Sequence, residues 1–134
     1  MKSLKEKVLS IISDNKIGTM ATLNGQKPYV RYMTFTNEDF MLYTTTTQES
    51  QKVIDLEHNP YTHILLGYTK DDLKAPYVEI LARLTEIKDD TLKLKIVNFF
   101  KDIFNSDEDD MVTLQLEPVT IKLLNDGDPQ ELHF

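Results

Sequence analysis

The stretch GTMATLNGQKPYVRYMTF, residues 18–35, decides the fold. Its Asn24-Gly25 pair is the tight-hairpin dipeptide, because both central positions of a type I′ turn need positive φ. On either side lie runs rich in β-branched and aromatic residues, KIGTMATL over 16–23 and YVRYMTFT over 29–36, which read as two antiparallel strands. Outward from these, Asn37-Glu38-Asp39 is a second turn and FMLYTTTT, residues 40–47, a third strand. Three strands joined by short turns form a meander, which argues against a parallel doubly wound sheet.

The flanks add helices to this meander. Leu4, Val8, Ile11 and Ile12 recur at helical spacing, and Asp14-Asn15 with Gly18 ends that helix. Ser50 reads as the N-cap of a second helix, QKVIDLEHN, which Pro60 stops and which has a short apolar side of Val53, Ile54 and Leu56. A fourth strand is expected over 61–68, a polar loop at KDDLKAP, and a fifth strand over 77–87 with Val78, Ile80, Ala82 and Leu84 on one face. A long helix over 89–104 should turn Leu92, Ile96, Phe99, Phe100 and Ile103 inward. After the acidic loop SDEDD, strands are expected over 111–117 and 119–125, separated by Pro118, with DGDPQELHF as a loosely held tail. The expectation is one α+β domain over 1–134, a mainly antiparallel β-barrel with flanking helices.

Composition narrows the chemistry. The chain has 134 residues and no cysteine, which excludes disulfides, thiolate metal sites and thiol nucleophiles. No run approaches the ~18 apolar residues of a membrane span, and the first fifteen residues have no apolar signal core, so a soluble cytoplasmic protein with no membrane partner is expected. The net charge of -7 is unevenly placed. Residues 1–104 balance, whereas residues 105–134 hold eight acids against Lys122 alone. No basic stripe is available to release counterions, which disfavours nucleic acid. His58, His63 and His133 lack metal-ligand spacing, and the Asp107–Asp110 run lacks the alternation of a calcium loop, so no metal is expected. Nucleophile-elbow, P-loop and dinucleotide glycine motifs are all missing from the sequence.

A polar concentration remains. Arg31, one of only two arginines with Arg83, sits mid-strand between Val30 and Tyr32. Thr34 is nearby, Thr44 to Thr47 end the third strand, and Ser50 and Lys52 open the following helix. If the second and third strands pair through the Asn37 turn, Arg31 meets the threonine run across the sheet. That grouping of guanidinium, hydroxyls, ammonium and helix N-terminus suits a phosphate dianion, and no carboxylate is read within these motifs. The same residues have a plainer reading: threonines favour strands, and a lone arginine can be a solvated edge residue. Tyr29, Tyr32 and Met33 could face a planar ring or simply fill the core.

These motifs in sequence resemble the pyridoxamine 5′-phosphate oxidase-like flavoproteins, in particular their general stress protein 26 branch. The likeness rests on Ala21-Thr22, on Arg31-Met33-Phe35, on Tyr43-Thr44 and on Ser50-Lys52-Leu56-Asn59-Pro60, in register over residues 4–124. It implies an FMN-binding split β-barrel, a homodimer with the cofactor in two grooves at the subunit interface. Arg31 and Lys52 would contact the FMN phosphate, with Ser50 and one of Thr44 or Thr45 assisting. Tyr32, Met33 and Thr34 would run along the isoalloxazine edge. Gln51 stands where the oxidases carry a third phosphate-binding arginine, and their C-terminal Arg-x-His motif has no counterpart, which argues against vitamin B6 oxidation. The resemblance thus implies a flavin-dependent oxidoreductase of unknown substrate, related to stress through its branch of the family. The alternatives are a non-enzymatic flavin-binding, storage or redox-sensing protein, or a barrel holding another planar cofactor such as haem or a deazaflavin.

Overall fold

A computed structural model describes residues 2–47, 49–69, 71–105 and 111–134; the acidic run Asp107–Asp110 lies outside them. β1 (Ile17–Asn24) and β2 (Lys27–Glu38) form the expected hairpin, paired from Asn24↔Lys27 to Ile17↔Thr34, with Gly25 at φ 63 in the turn. The chain reverses again at Asp39, φ 50, into β3 (Met41–Thr47). β4 (Tyr61–Leu66) lies on the other edge of β1, followed by β5 (Tyr77–Thr85) and β6 (Met111–Leu124), all antiparallel. β6 then pairs with β3 and closes a six-strand barrel in the order β3-β2-β1-β4-β5-β6.

The period-2 pattern sets the core. Met20, Phe35, Leu42, Ile64, Leu66, Val78, Ile80, Ala82, Leu114, Leu116, Ile121 and Leu123 point into the barrel and are buried. Each large one contributes about 1.5–3 kcal/mol relative to exposure. Helix α1 (Leu4–Asp14), capped by the Ser3 hydroxyl on the Glu6 amide at 3.2 Å, buries Val8 and Ile12 against the same core. Helix α2 (Gln51–His58) packs on β1, and α3 (Asp90–Phe104) forms a smaller cluster with Tyr43 and Ile87.

Three expectations need correction. Pro118 does not divide β6, which runs unbroken past it; Pro118 stands opposite Ala82 at the register shift between Leu81 and Ala82. A bulge is where a strand tolerates a residue without an N–H donor. The tail is also ordered differently from expectation. Residues Gln130–His133 form β7, paired with Thr120 to Leu123, and Phe134 packs its ring 5.3 Å from Phe40. β3 covers one edge of β6 only over Met111 to Leu116, so the remaining edge is available and β7 fills it. Finally, α3 buries only Ile96 and Phe100 fully, while Ile103 is 47% exposed, because the helix lies on the barrel along a narrower stripe than its sequence offers.

The barrel is closed but split. β2 pairs with β3 only over Phe35 to Glu38; from Lys27 to Thr34 its second edge has no strand neighbour among the described residues.

Candidate functional site

Arg31 lies at this split. Strand alternation puts it on the face of β2 that carries Phe35, opposite Met20 of β1. Its Nη1 donates to the Thr22 hydroxyl at 2.7 Å, and that hydroxyl donates to Asp55 Oδ2 at 3.0 Å. Asp55, on α2, is only 3% exposed, and its Oδ1 accepts from Gln51 Nε2 at 2.8 Å. Both carboxylate oxygens are therefore hydrogen-bonded, as a buried carboxylate requires. Burial holds the Arg31 pKa below its ordinary value, and the Asp55 charge pushes the other way.

This corrects the reading that the motifs contain no carboxylate. Asp55 lies inside the Ser50-to-Leu56 motif itself, and the fold turns it inward beside Arg31.

Lys52 shares the same surroundings. Burial lowers its pKa, and the Arg31 charge lowers it further. Two cations that repel each other in a partly desolvated place gain from an anion between them. Ser50, the N-cap of α2, supplies a second sign of the same kind. Its Oγ is buried, makes no capping bond and has no partner among the described residues. Thr45, Thr46, Thr47, Ser50 and Lys52 line one groove, with Phe104 and Met111 as its apolar wall.

The remaining candidates spread over the barrel. The Thr45 hydroxyl donates to the Val112 carbonyl at 3.1 Å, tying β3 to β6. Thr44 is fully buried and donates to the Thr34 carbonyl at 2.7 Å, so its proton latches β3 to β2. Met33 is half-buried against the core, whereas Tyr32, one residue away, points to the outer face and is 81% exposed. The ladder expected to join Arg31 to the threonines stops at Phe35↔Thr44. Arg31 and the threonine groove are thus on opposite lips of the split, and Lys52 connects them. Gln51 turns its amide to Asp55.

Two residues of this network, Thr22 and Asp55, carry no role in the sequence reading. The signals exist. Counting back from the Asn24-Gly25 turn places Thr22 diagonal to Arg31 on one face of the hairpin, and Gln51 and Asp55 stand at i, i+4.

A family model described as pyridoxamine 5′-phosphate oxidase matches residues 4–125. The chain belongs to the pyridoxamine 5′-phosphate oxidase family. Within that family it is 35% identical over 132 residues to general stress protein 26 of Bacillus subtilis (strain 168), covering 95% of this chain and 92% of the relative. The crystal structure of general stress protein 26 from Bacillus anthracis superposes with a TM-score of 0.80 at 34% identity, over 98% of both chains. A haem-binding protein from Mycobacterium smegmatis shares the fold, with a TM-score of 0.82 at 16% identity, covering 99% of this chain and 59% of that one. The pyridoxamine 5′-phosphate oxidase family is a family of split barrels, and the antiparallel barrel, with three helices among the described residues, conforms to it.

Proposed function

We propose that this protein binds FMN at the split of the barrel, as a homodimer with the groove at the subunit interface, and acts as a flavin-dependent oxidoreductase. One observation carries the reading. Around the N-terminus of α2 lie a buried hydroxyl without a partner among the described residues, Ser50 Oγ, and two mutually repelling cations, Lys52 and Arg31. A phosphate dianion would give the hydroxyl an acceptor, offset the cation repulsion and meet the positive end of the helix dipole. These residues therefore fit the phosphate end of FMN. Arg31 and Lys52 would hold its charge, and Ser50 would donate to it. When bound, the flavin supplies the electron transfer; the chain's own residues bind and orient it. Family membership and the kinship to general stress protein 26 support the same reading.

A second reading has its own support, since the Mycobacterium smegmatis neighbour binds haem. The donor set favours FMN over it, because Ser50, Lys52 and the α2 N-terminus are concentrated in the manner of a phosphate site. The test is the absorption spectrum of the purified protein, followed by titration with FMN and with riboflavin. A flavin spectrum, with FMN bound about ten- to hundredfold more tightly than riboflavin, is the expected result. Equal affinity for the two would remove the phosphate site, and a haem spectrum would establish the second reading. Turnover with a reduced nicotinamide separates an enzyme from a flavin-storage or redox-sensing protein.

A further inference from the structure

Resting on the FMN reading above, we propose that Thr22 and Asp55 are positioning residues, which hold the Arg31 guanidinium in the orientation that receives the ligand phosphate. The polarity of the chain Arg31–Thr22–Asp55 is set by chemistry. An ionised carboxylate can only accept, so the Thr22 hydroxyl must give its one proton to Asp55 Oδ2, 3.0 Å away. Its lone pair is then left for Arg31 Nη1, at 2.7 Å. Gln51 Nε2 at 2.8 Å secures the other oxygen and keeps the carboxylate from turning away from Thr22.

The hydroxyl also acts as a spacer. Arginine has five N–H donors, and a direct pair with a carboxylate is commonly bidentate and would use two of them. Among the described residues Arg31 and Asp55 form no direct ion pair, and the bond to Thr22 is the one hydrogen bond of the Arg31 side chain. The guanidinium is thus anchored at one nitrogen and keeps its other donors for a ligand. Asp55 compensates a partly desolvated cation from one hydroxyl away, where it does not compete with an incoming phosphate for the same N–H groups. Such preorganisation lowers the ordering cost of binding. It also gives Gln51 a role other than that of a third phosphate ligand, as support for the carboxylate.

The experiment measures the ratio of FMN to riboflavin affinity, by flavin fluorescence titration, in the wild type, Thr22→Val, Thr22→Ser, Arg31→Ala and the double variant Arg31→Ala/Thr22→Val. The two flavins differ only in the phosphate, so riboflavin affinity reports on the intact fold and the ratio on the phosphate end. Thr22→Val should lower the ratio about tenfold, and Thr22→Ser should restore it. In the Arg31→Ala background Thr22→Val should change the ratio no further, because the residues act through one contact. A ratio unchanged in Thr22→Val, or an equal fall in the Arg31→Ala background, overturns the proposal while leaving the FMN reading intact. A wild type that does not distinguish FMN from riboflavin overturns both. If Thr22→Val does not fold, Thr22→Ala carries the same expected loss of ratio and the same overturning result.

Discussion

At the scale of single residues, the positive groups at the split differ in kind, and their substitutions should differ too. Arg31 offers a planar donor array anchored at one end, so Arg31→Ala should lose about 1.5–3 kcal/mol of FMN binding, roughly ten- to hundredfold. Arg31→Lys should recover only a fraction of this, since an ammonium cannot reproduce that array. Arg83, exposed on β5, is the control, and Arg83→Ala should bind FMN as the wild type does. Equilibrium dialysis with FMN checks all three, and undiminished binding by Arg31→Ala would remove Arg31 as the anchor. Lys52 adds a pH dependence whose sign can be worked out. Burial and then the Arg31 charge hold its pKa below the ordinary 10.5. A bound phosphate favours the ammonium, so binding raises that pKa again and takes up a proton in the window between the two values. FMN affinity relative to riboflavin should therefore fall as pH rises through that window. Lys52→Arg, which does not titrate there, should flatten the fall. A profile that is identical in wild type and Lys52→Arg would show that Lys52 does not meet the phosphate.

At the scale of elements, the barrel depends on close approach of backbones along β1. Gly18 faces Leu66 of β4, and a Cβ built on it would collide with the Leu65 carbonyl oxygen and lie 2.6 Å from Leu66 Cδ2. A ladder carbonyl cannot give way as a side-chain end can. Gly18→Ala should therefore destabilise by about 1–3 kcal/mol or more, seen as a lower denaturation midpoint in urea. An unchanged midpoint would mean that β1 and β4 separate more freely than their pairing indicates. The meander and helices α1, α2 and α3 were legible because turn dipeptides and apolar periods are local signals. Asn24-Gly25 alone fixes the β1–β2 register, and with it the face that Arg31 occupies. Pro118 was misleading because its tolerance depends on a bulge opposite Ala82, on another strand. The tail looked loose for the same reason: DGDPQELHF has weak strand character, and only the vacant edge of β6 makes β7. Asp55 was hidden because a charged helix residue usually faces solvent, and its inward turn depends on Thr22, 33 residues earlier. Thus Arg31 and Lys52 stand out in one dimension, whereas Asp55, which reaches Arg31 only through Thr22, has just its i, i+4 spacing from Gln51 to mark it, and that spacing does not by itself turn it inward.

At the scale of the whole molecule, the outer face of the β2–β1–β4 sheet is unusually apolar for a surface left to water. Val30 is 66% and Tyr32 81% exposed, and Leu23 and Tyr61 lie on the same side of their strands. Beside them is an open hollow formed by Ala21, Pro28, His63 and Leu81 among others. A second copy of the chain is the cover we propose for this face, consistent with the interface groove of the FMN reading. The prediction follows from twofold symmetry. A self-complementary interface carries every substitution twice, so Val30→Glu would bring two carboxylates into one apolar, desolvated interface at the cost of burying both charges. The wild type should sediment with twice the 15.6 kDa chain mass at micromolar concentration, and Val30→Glu as a monomer. Because the groove at the split would be completed by the partner, the monomeric variant should also bind FMN more weakly, although Arg31, Ser50 and Lys52 are untouched. Restoring the dimer at high protein concentration should restore affinity in step. A wild type that sediments as a monomer would refute the dimer. A dimeric Val30→Glu would move the interface to another face of the barrel. A monomer that keeps full FMN affinity would instead place the whole site within one chain.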